Sequence, residues 1–259
     1  MIVDLHNHTP LCNHASGEME EHVKQAIKNG TKYFGFSDHA PMDCDPKYRM
    51  MFSQMRGYEQ SVKHLQEKYK DDINILLAYE VDYLKGHMDS KILNAKVDYL
   101  IGSVHFIGKW GFDNPEFIGN YKNKDIDKIW QEYFDEIEAM AKTGLFDIVG
   151  HLDLIKVFNF LPKKDVRLIA KDALKAIKNA NLVIELNMSG IRKPTGEIYP
   201  SATLIESISE LDIPITFSSD AHEPNQVGLY KDHLIPFAKK FGYDKCATFK
   251  NRDRQLIKF

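Results

Sequence analysis

Short apolar runs alternate with amphipathic stretches along most of the chain. IVDLH (2–6) and KYFGFSDH (32–39) read as strands. Between them EMEEHVKQAIKNG (18–30) has helical spacing and stops at Gly30. A helix is expected from about Gln54 to Tyr69, with Ser53 as its N-cap, leading into the strand INILLAYE (73–80). VDYLIGSVH (97–105) and LFDIVGH (145–151) flank the long helix DKIWQEYFDEIEAMAKTG (127–144). DVRLIAKDALKAIKNAN (165–181) then leads to LVIELN (182–187), and SATLIESISEL (201–211) to IPITFSSDAH (213–222). A last helix and a weak strand, KCATF (245–249), follow.

Strands separated by single helices imply parallel βαβ units. Seven strong strands and a weak eighth fit a closed or nearly closed α/β barrel better than a doubly wound open sheet. No repeat, low-complexity tract or linker divides the chain, so residues 1–259 are expected to form one domain. Its 259 residues suit that reading, since such barrels run to roughly 250.

Composition narrows the partners. The chain is 43% hydrophobic and 27% charged, as in an ordinary globular enzyme. A net charge of -3 gives no basic footprint for nucleic acid. No apolar run is long enough for a membrane span, and the N-terminus does not read as a signal peptide. Cys12, Cys44 and Cys246 are too few and too scattered for a disulfide framework. A cytoplasmic setting is expected; nothing in the sequence specifies an oligomeric state.

Candidate chemistry collects at the C-terminal ends of the strands. The first supplies His6 and His8, the second Asp38 and His39, the third Glu80, the fourth His105, the fifth His151, and the seventh Asp220 and His222. With His14, seven of the eleven histidines fall at or just beyond such ends. In a parallel barrel those ends share one face. His22, His64, His87 and His233 are read as solvated. Imidazole and carboxylate suit zinc, iron or manganese, and the set exceeds the four ligands of one tetrahedral ion. Two or three ions are more natural, with Glu80 or Asp220 able to bridge. The sixth strand supplies no His, but Ser189, Arg192 and Lys193 follow it, and a guanidinium beside metals suits an anionic, phosphate-bearing substrate.

DLHNH (4–8), FSDHA (36–40), YEVDY around Glu80, GSVHF (102–106), VGHLD (149–153) and SSDAH (218–222) resemble the motifs of the PHP family, metal-dependent phosphoesterases of the polymerase and histidinol phosphatase superfamily. SVHFIGKWGFDNPEF (103–117) and ELNMSGIRKPTGEIYPS (185–201) resemble its histidinol-phosphatase branch. The resemblance implies a distorted seven-stranded TIM-like barrel and three divalent transition-metal ions. His6, His8, Glu80 and Asp220 would hold one ion. Glu80 would bridge to a second held by His105 and His151, and His14, His39 and His222 would hold the third. Asp38 would orient an imidazole. Arg192, Asp220 and His222 would act at the reacting group.

The implied reaction is hydrolysis of L-histidinol phosphate to L-histidinol and phosphate, a step of histidine biosynthesis. Metal coordination lowers the pKa of water toward ~7, which supplies a nucleophile at neutral pH. Another PHP phosphoesterase acting on nucleotides or DNA ends, and a non-catalytic metal-binding domain, are the competing readings. For the substrate amine the expected partner is Asp113, with Glu116 second. Phe106, Trp110 and Phe112 either pack the imidazole or seal their loop onto the barrel.

Overall fold

The computed structural model describes residues 1–259. Its strands are β1 (Val3–Asp4), β2 (Tyr33–Phe36), β3 (Asn74–Asp82), β4 (Tyr99–Ser103), β5 (Phe106–Ile107) and β6 (Trp110–Gly111). They continue with β7 (Ile148–Val149), β8 (Val183–Asn187), β9 (Ile215–Ser218), β10 (Lys245–Lys250) and β11 (Asp253–Lys258). Helices α1 (Met19–Lys28), α2 (Met55–Lys68), α3 (Ser90–Leu93), α4 (Ile126–Lys142), α5 (Val166–Asn179), α6 (Ala202–Glu210) and α7 (Lys231–Lys240) lie between or after them.

Seven strands form one sheet in the order β1-β2-β3-β4-β7-β8-β9, with every pairing parallel. The ends of that sheet meet: the Leu5 amide donates to the Phe217 carbonyl at 3.0 Å, and Asn7 bridges Ala221 in parallel. Asp4 reinforces the seam by accepting from the Ser219 amide at 2.8 Å and the Ser219 hydroxyl at 2.5 Å. The barrel is nearly closed, as the alternating pattern predicts.

Near-continuous apolar strands face helices on one side and a filled interior on the other. Tyr99 crosses that interior to donate its hydroxyl to the Leu5 carbonyl at 2.5 Å. β2 passes it with Gly35, where a Cβ would stand 1.7 Å from the Tyr99 oxygen. Outside, α4 buries Ile129, Trp130, Tyr133, Phe134, Ile137, Met140 and Ala141, an apolar face at spacings of one to four residues. Side-chain carboxylates cap it and the next helix: Asp125 accepts from the Asp127 amide and Asp165 from the Arg167 amide.

Three expectations need correction. The weak strand at 245–249 is not an eighth stave, because Lys245–Lys250 pairs antiparallel with Asp253–Lys258. Asn251 and Arg252 both adopt positive φ, 51° and 72°, so a tight local hairpin forms while β9 is already joined to β1. Ser53 does not cap α2; it lies inside the 3-10 turn Phe52–Gln54, and Gln54 takes the cap position with its side chain accepting from the Met51 amide at 2.7 Å. His22 is fully buried rather than solvated, because it lies on the inner face of α1 near Phe36. His64 and His233 are exposed as expected.

Candidate metal centre

The parallel strands end on one face, and each strand stops just before the residues that turn into the barrel mouth. His6 and His8 follow β1, His39 follows β2, His105 follows β4, His151 follows β7, and Asp220 and His222 follow β9. Glu80 alone sits inside a ladder, on β3. Asp220 adopts φ 50°, a left-handed conformation that Asp tolerates better than most residues.

Glu80 lies at the centre. One carboxylate oxygen, Oε1, is 2.9 Å from His151 Nε2 and 3.6 Å from His105 Nε2. The other, Oε2, is 2.9 Å from His39 Nδ1, 3.3 Å from His6 Nε2 and 3.7 Å from His8 Nε2. Asp220 Oδ1 stands 3.2 Å from His8 Nε2 and 4.0 Å from His6 Nε2. His14 enters from the loop, with its Nε2 3.1 Å from His222 Nε2. Three donor groups emerge: His6, His8 and Glu80; Glu80, His105 and His151; and His14, His39 and His222. His8, Cys12 and His222 also converge.

Several donors have no other use. His6 Nε2, His39 Nδ1 and Glu80 Oε2 are buried without a hydrogen-bond partner. The 2.9 Å approach of His39 Nδ1 to Glu80 Oε2 is close but not aligned as a hydrogen bond. Leaving such atoms unsatisfied costs roughly 1–3 kcal/mol each. Cations placed between them would remove that cost, so the residues present fit transition-metal ions.

Three of the rings have their other nitrogen held by a carboxylate, the arrangement that orients metal-binding imidazoles. His6 Nδ1 meets Glu185 at 3.0 Å, His105 Nδ1 meets Asp82 at 2.8 Å, and His8 Nδ1 meets Asp38 at 3.4 Å. Asp38 therefore faces an imidazole, as the resemblance implies. Glu185 and Asp82, which hold His6 and His105 from behind, are positions that the strand-end reading missed. Glu185 is a buried hub that also accepts from the His151 amide at 2.6 Å, Asn187 at 2.8 Å and the Ser218 hydroxyl at 2.5 Å. A charged residue inside the apolar run LVIELN was the available signal for it. For Asp82 the signal was its place two residues from Glu80 on β3, on the same face. Arg49 pairs with Asp82 in turn, and its other nitrogen meets Asp45 at 2.9 Å.

Proton affinities follow the same geometry. Burial works to raise the Glu80 carboxyl, yet the imidazoles of His39 and His6 hold it well below the carboxylate range. Burial likewise opposes ionisation of Asp220, and His6 and His8 outweigh it. Burial pushes His39 down to about 4, leaving its ring neutral and able to donate a lone pair. For His105 burial acts downward, but Asp82 lifts it to about 10.

Arg192 reaches this face from the turn after β8. Its Nη2 donates to the Ser219 carbonyl at 3.0 Å and the Asp220 carbonyl at 2.7 Å, while Nη1 is buried without a partner. The Ser189 hydroxyl stands 2.9 Å from Asp220 Oδ2 and 2.7 Å from Asn187 Oδ1, so its one proton is spent between these two acceptors. Lys193 is exposed at the end of the same turn.

Beside His105 lies a cavity of about 200 Å³, with Asp45, Tyr48, Arg49, Phe106, Asp113 and Phe117 in its wall. Asp113 is among the lining residues and Glu116 is not; Glu116 is exposed and pairs with Lys47 at 2.9 Å. Burial raises the Asp113 carboxyl and His105 opposes that shift. The three aromatics divide. Phe106 lines the cavity, Phe112 is fully buried against Tyr133, and Trp110 packs edge-on to Tyr121.

A family model for the PHP domain matches residues 4–189. The chain belongs to the PHP family. The matched PHP segment stops before Asp220 and His222, which β9 brings into the same cluster. A "Probable histidinol-phosphatase" from Deinococcus radiodurans is 36% identical over 259 residues, with 98% of each chain covered. The histidinol-phosphatase of Bacillus subtilis is 27% identical, covering 87% of this PHP chain and 95% of its own. Among solved structures, the histidinol phosphate phosphatase of Lactococcus lactis, complexed with zinc, L-histidinol and phosphate, superposes with a TM-score of 0.84. It is 23% identical, with 98% of each chain covered, and the likeness confirms the PHP barrel. No helix is long and apolar enough to cross a membrane.

Proposed function

We propose that this chain is a metal-dependent phosphomonoesterase that hydrolyses L-histidinol phosphate to L-histidinol and phosphate. The observation that carries this reading is the set of three donor groups linked through Glu80, at a barrel mouth beside a small cavity. The full-length similarity to histidinol-phosphatases selects the substrate.

In this reading one domain spans residues 1–259 and its site takes three divalent ions of the zinc, iron or manganese type. His6, His8, Glu80 and Asp220 hold the first, Glu80, His105 and His151 the second, and His14, His39 and His222 the third. Bound ions lower the pKa of water and neutralise charge on phosphate oxygens. The chain supplies the rest. Arg192, fixed by two carbonyls through Nη2, offers Nη1 to a phosphate oxygen as a charge-assisted donor. Asp113 takes the substrate amine, and Phe106 gives the imidazole an apolar face. Lys193, at the exposed end of the turn, adds positive charge near the entrance rather than a fixed contact. Asp220 and His222 join metal binding to placement of the reacting group, since the Asp220 carbonyl also anchors Arg192.

The test is phosphate release from L-histidinol phosphate beside nucleotide monophosphates, using protein reconstituted with Zn²⁺ or Mn²⁺. Preferred turnover of L-histidinol phosphate is expected. Faster turnover of the nucleotides would overturn the substrate assignment, and no release from any of them would overturn the activity.

A further inference from the structure

Outside the barrel-mouth cluster, one other group of mixed donors converges. Asp43 and Cys44 lie in the segment that follows β2, and His87 lies in the turn that follows β3. Their donor atoms all stand within 4.8 Å of one another, and His87 Nδ1 is 3.0 Å from Asp43 Oδ1. The His87 side chain is 41% exposed, Cys44 is a free, half-buried thiol, and Asp43 is exposed. We infer that Asp43, Cys44 and His87 form a separate, peripheral site for a borderline-soft divalent ion such as Zn²⁺, with water completing the coordination.

The donor chemistry selects that ion class. Thiolate, imidazole and carboxylate together are zinc ligands, whereas Mg²⁺ and Ca²⁺ call for oxygen alone. Zinc–ligand bonds of roughly 2.0–2.3 Å in a tetrahedron put donors about 3.3–3.8 Å apart. The three side chains therefore need only a small contraction, and their exposed faces leave them free to make it. On binding, the thiol proton leaves to solvent and a sulfur–metal bond replaces it.

The site would staple two segments that both serve the main centre. Asp45, Tyr48 and Arg49, immediately after Cys44, line the cavity beside His105. The turn bearing His87 follows the strand that carries Glu80 and Asp82. The inference does not depend on the phosphatase reading, because its ligands belong to neither the three donor groups nor the proposed substrate contacts.

The test saturates the full chain with Co²⁺ and reads the near-ultraviolet thiolate-to-cobalt charge-transfer band, which imidazole and carboxylate ligands do not produce. Cys44→Ser should abolish the band and lower the bound cobalt by one equivalent. His87→Ala should weaken binding at this site at least tenfold. Cys12→Ser, which removes the thiol near His8 and His222, should leave the band intact. No band in the parent protein, or a band in Cys12→Ser protein that survives the further change Cys44→Ser, would overturn the inference.

Discussion

Replacing Arg192 with alanine separates phosphate recognition from metal binding. In the proposed reading its two jobs fall on different nitrogens: Nη2 ties down the Ser219 and Asp220 carbonyls, and Nη1, buried and without a partner, is left for phosphate. A hydrogen bond from a charged donor is worth about 1.5–3 kcal/mol, which corresponds to roughly 10- to 150-fold in rate. Where water is excluded and charge develops on the acceptor, removal of one such donor costs about 10²- to 10³-fold. We therefore expect Arg192→Ala to lower kcat/KM by about 100-fold. Loss of the Nη2 bonds adds a stability cost of roughly 1–3 kcal/mol, and each kcal/mol moves Tm by about 2–4 °C in a chain of this size. Arg192→Lys keeps the charge but not the planar fork, so it should recover only part of the rate. The assay is steady-state phosphate release at matched metal content, with Tm followed by circular dichroism. An Arg192→Ala protein that retains its metals and turns over within twofold of the parent would refute the assignment.

Other perturbations probe the remaining parts of the site. His14→Ala should weaken chiefly one ion, because His14 contacts only the outer group, whereas Glu80→Ala should disturb two; equal single-ion losses by elemental analysis would contradict a bridging Glu80. Glu185→Gln should lower metal affinity about 10- to 100-fold through His6 without removing any ligand, and competition against a chromophoric chelator would show it; unchanged affinity would make Glu185 purely structural. Asp113→Asn should reduce kcat/KM for L-histidinol phosphate far more than for a small aryl phosphate that lacks an amine. Equal losses on both substrates would place amine recognition elsewhere.

Much of this architecture can be read from local sequence because a parallel barrel converts strand order into spatial convergence. His6, His8, His39, His105, His151 and Asp220 sit directly after apolar runs, so locating the runs also locates the cluster. Residues acting from inside strands are harder to see. Glu185 and Asp82 occupy positions where burial would normally favour an apolar side chain, and only the meeting of distant strands explains them. The loop beyond His105 could not be divided in advance, since Asp113 and Glu116 are three residues apart with the same chemistry. In the structure Asp113 lines the cavity, whereas Glu116 faces solvent beside Lys47 of another segment. The C-terminal hairpin is a contrasting case. Its apolar run looks like a stave, but two positive-φ residues fold it onto β11, and it packs beside β1 and β9 without joining their ladder.

The proposed activity requires ions held among Glu80, Asp220 and the seven histidines of the barrel mouth. The most direct measurement is elemental analysis of the purified chain, made on the same samples as phosphate release from L-histidinol phosphate, before and after exhaustive chelation and after reconstitution. The account predicts up to three transition-metal ions per chain at this centre, loss of activity as they are removed, and recovery on reconstitution. Full activity in protein shown to be free of metal would contradict it.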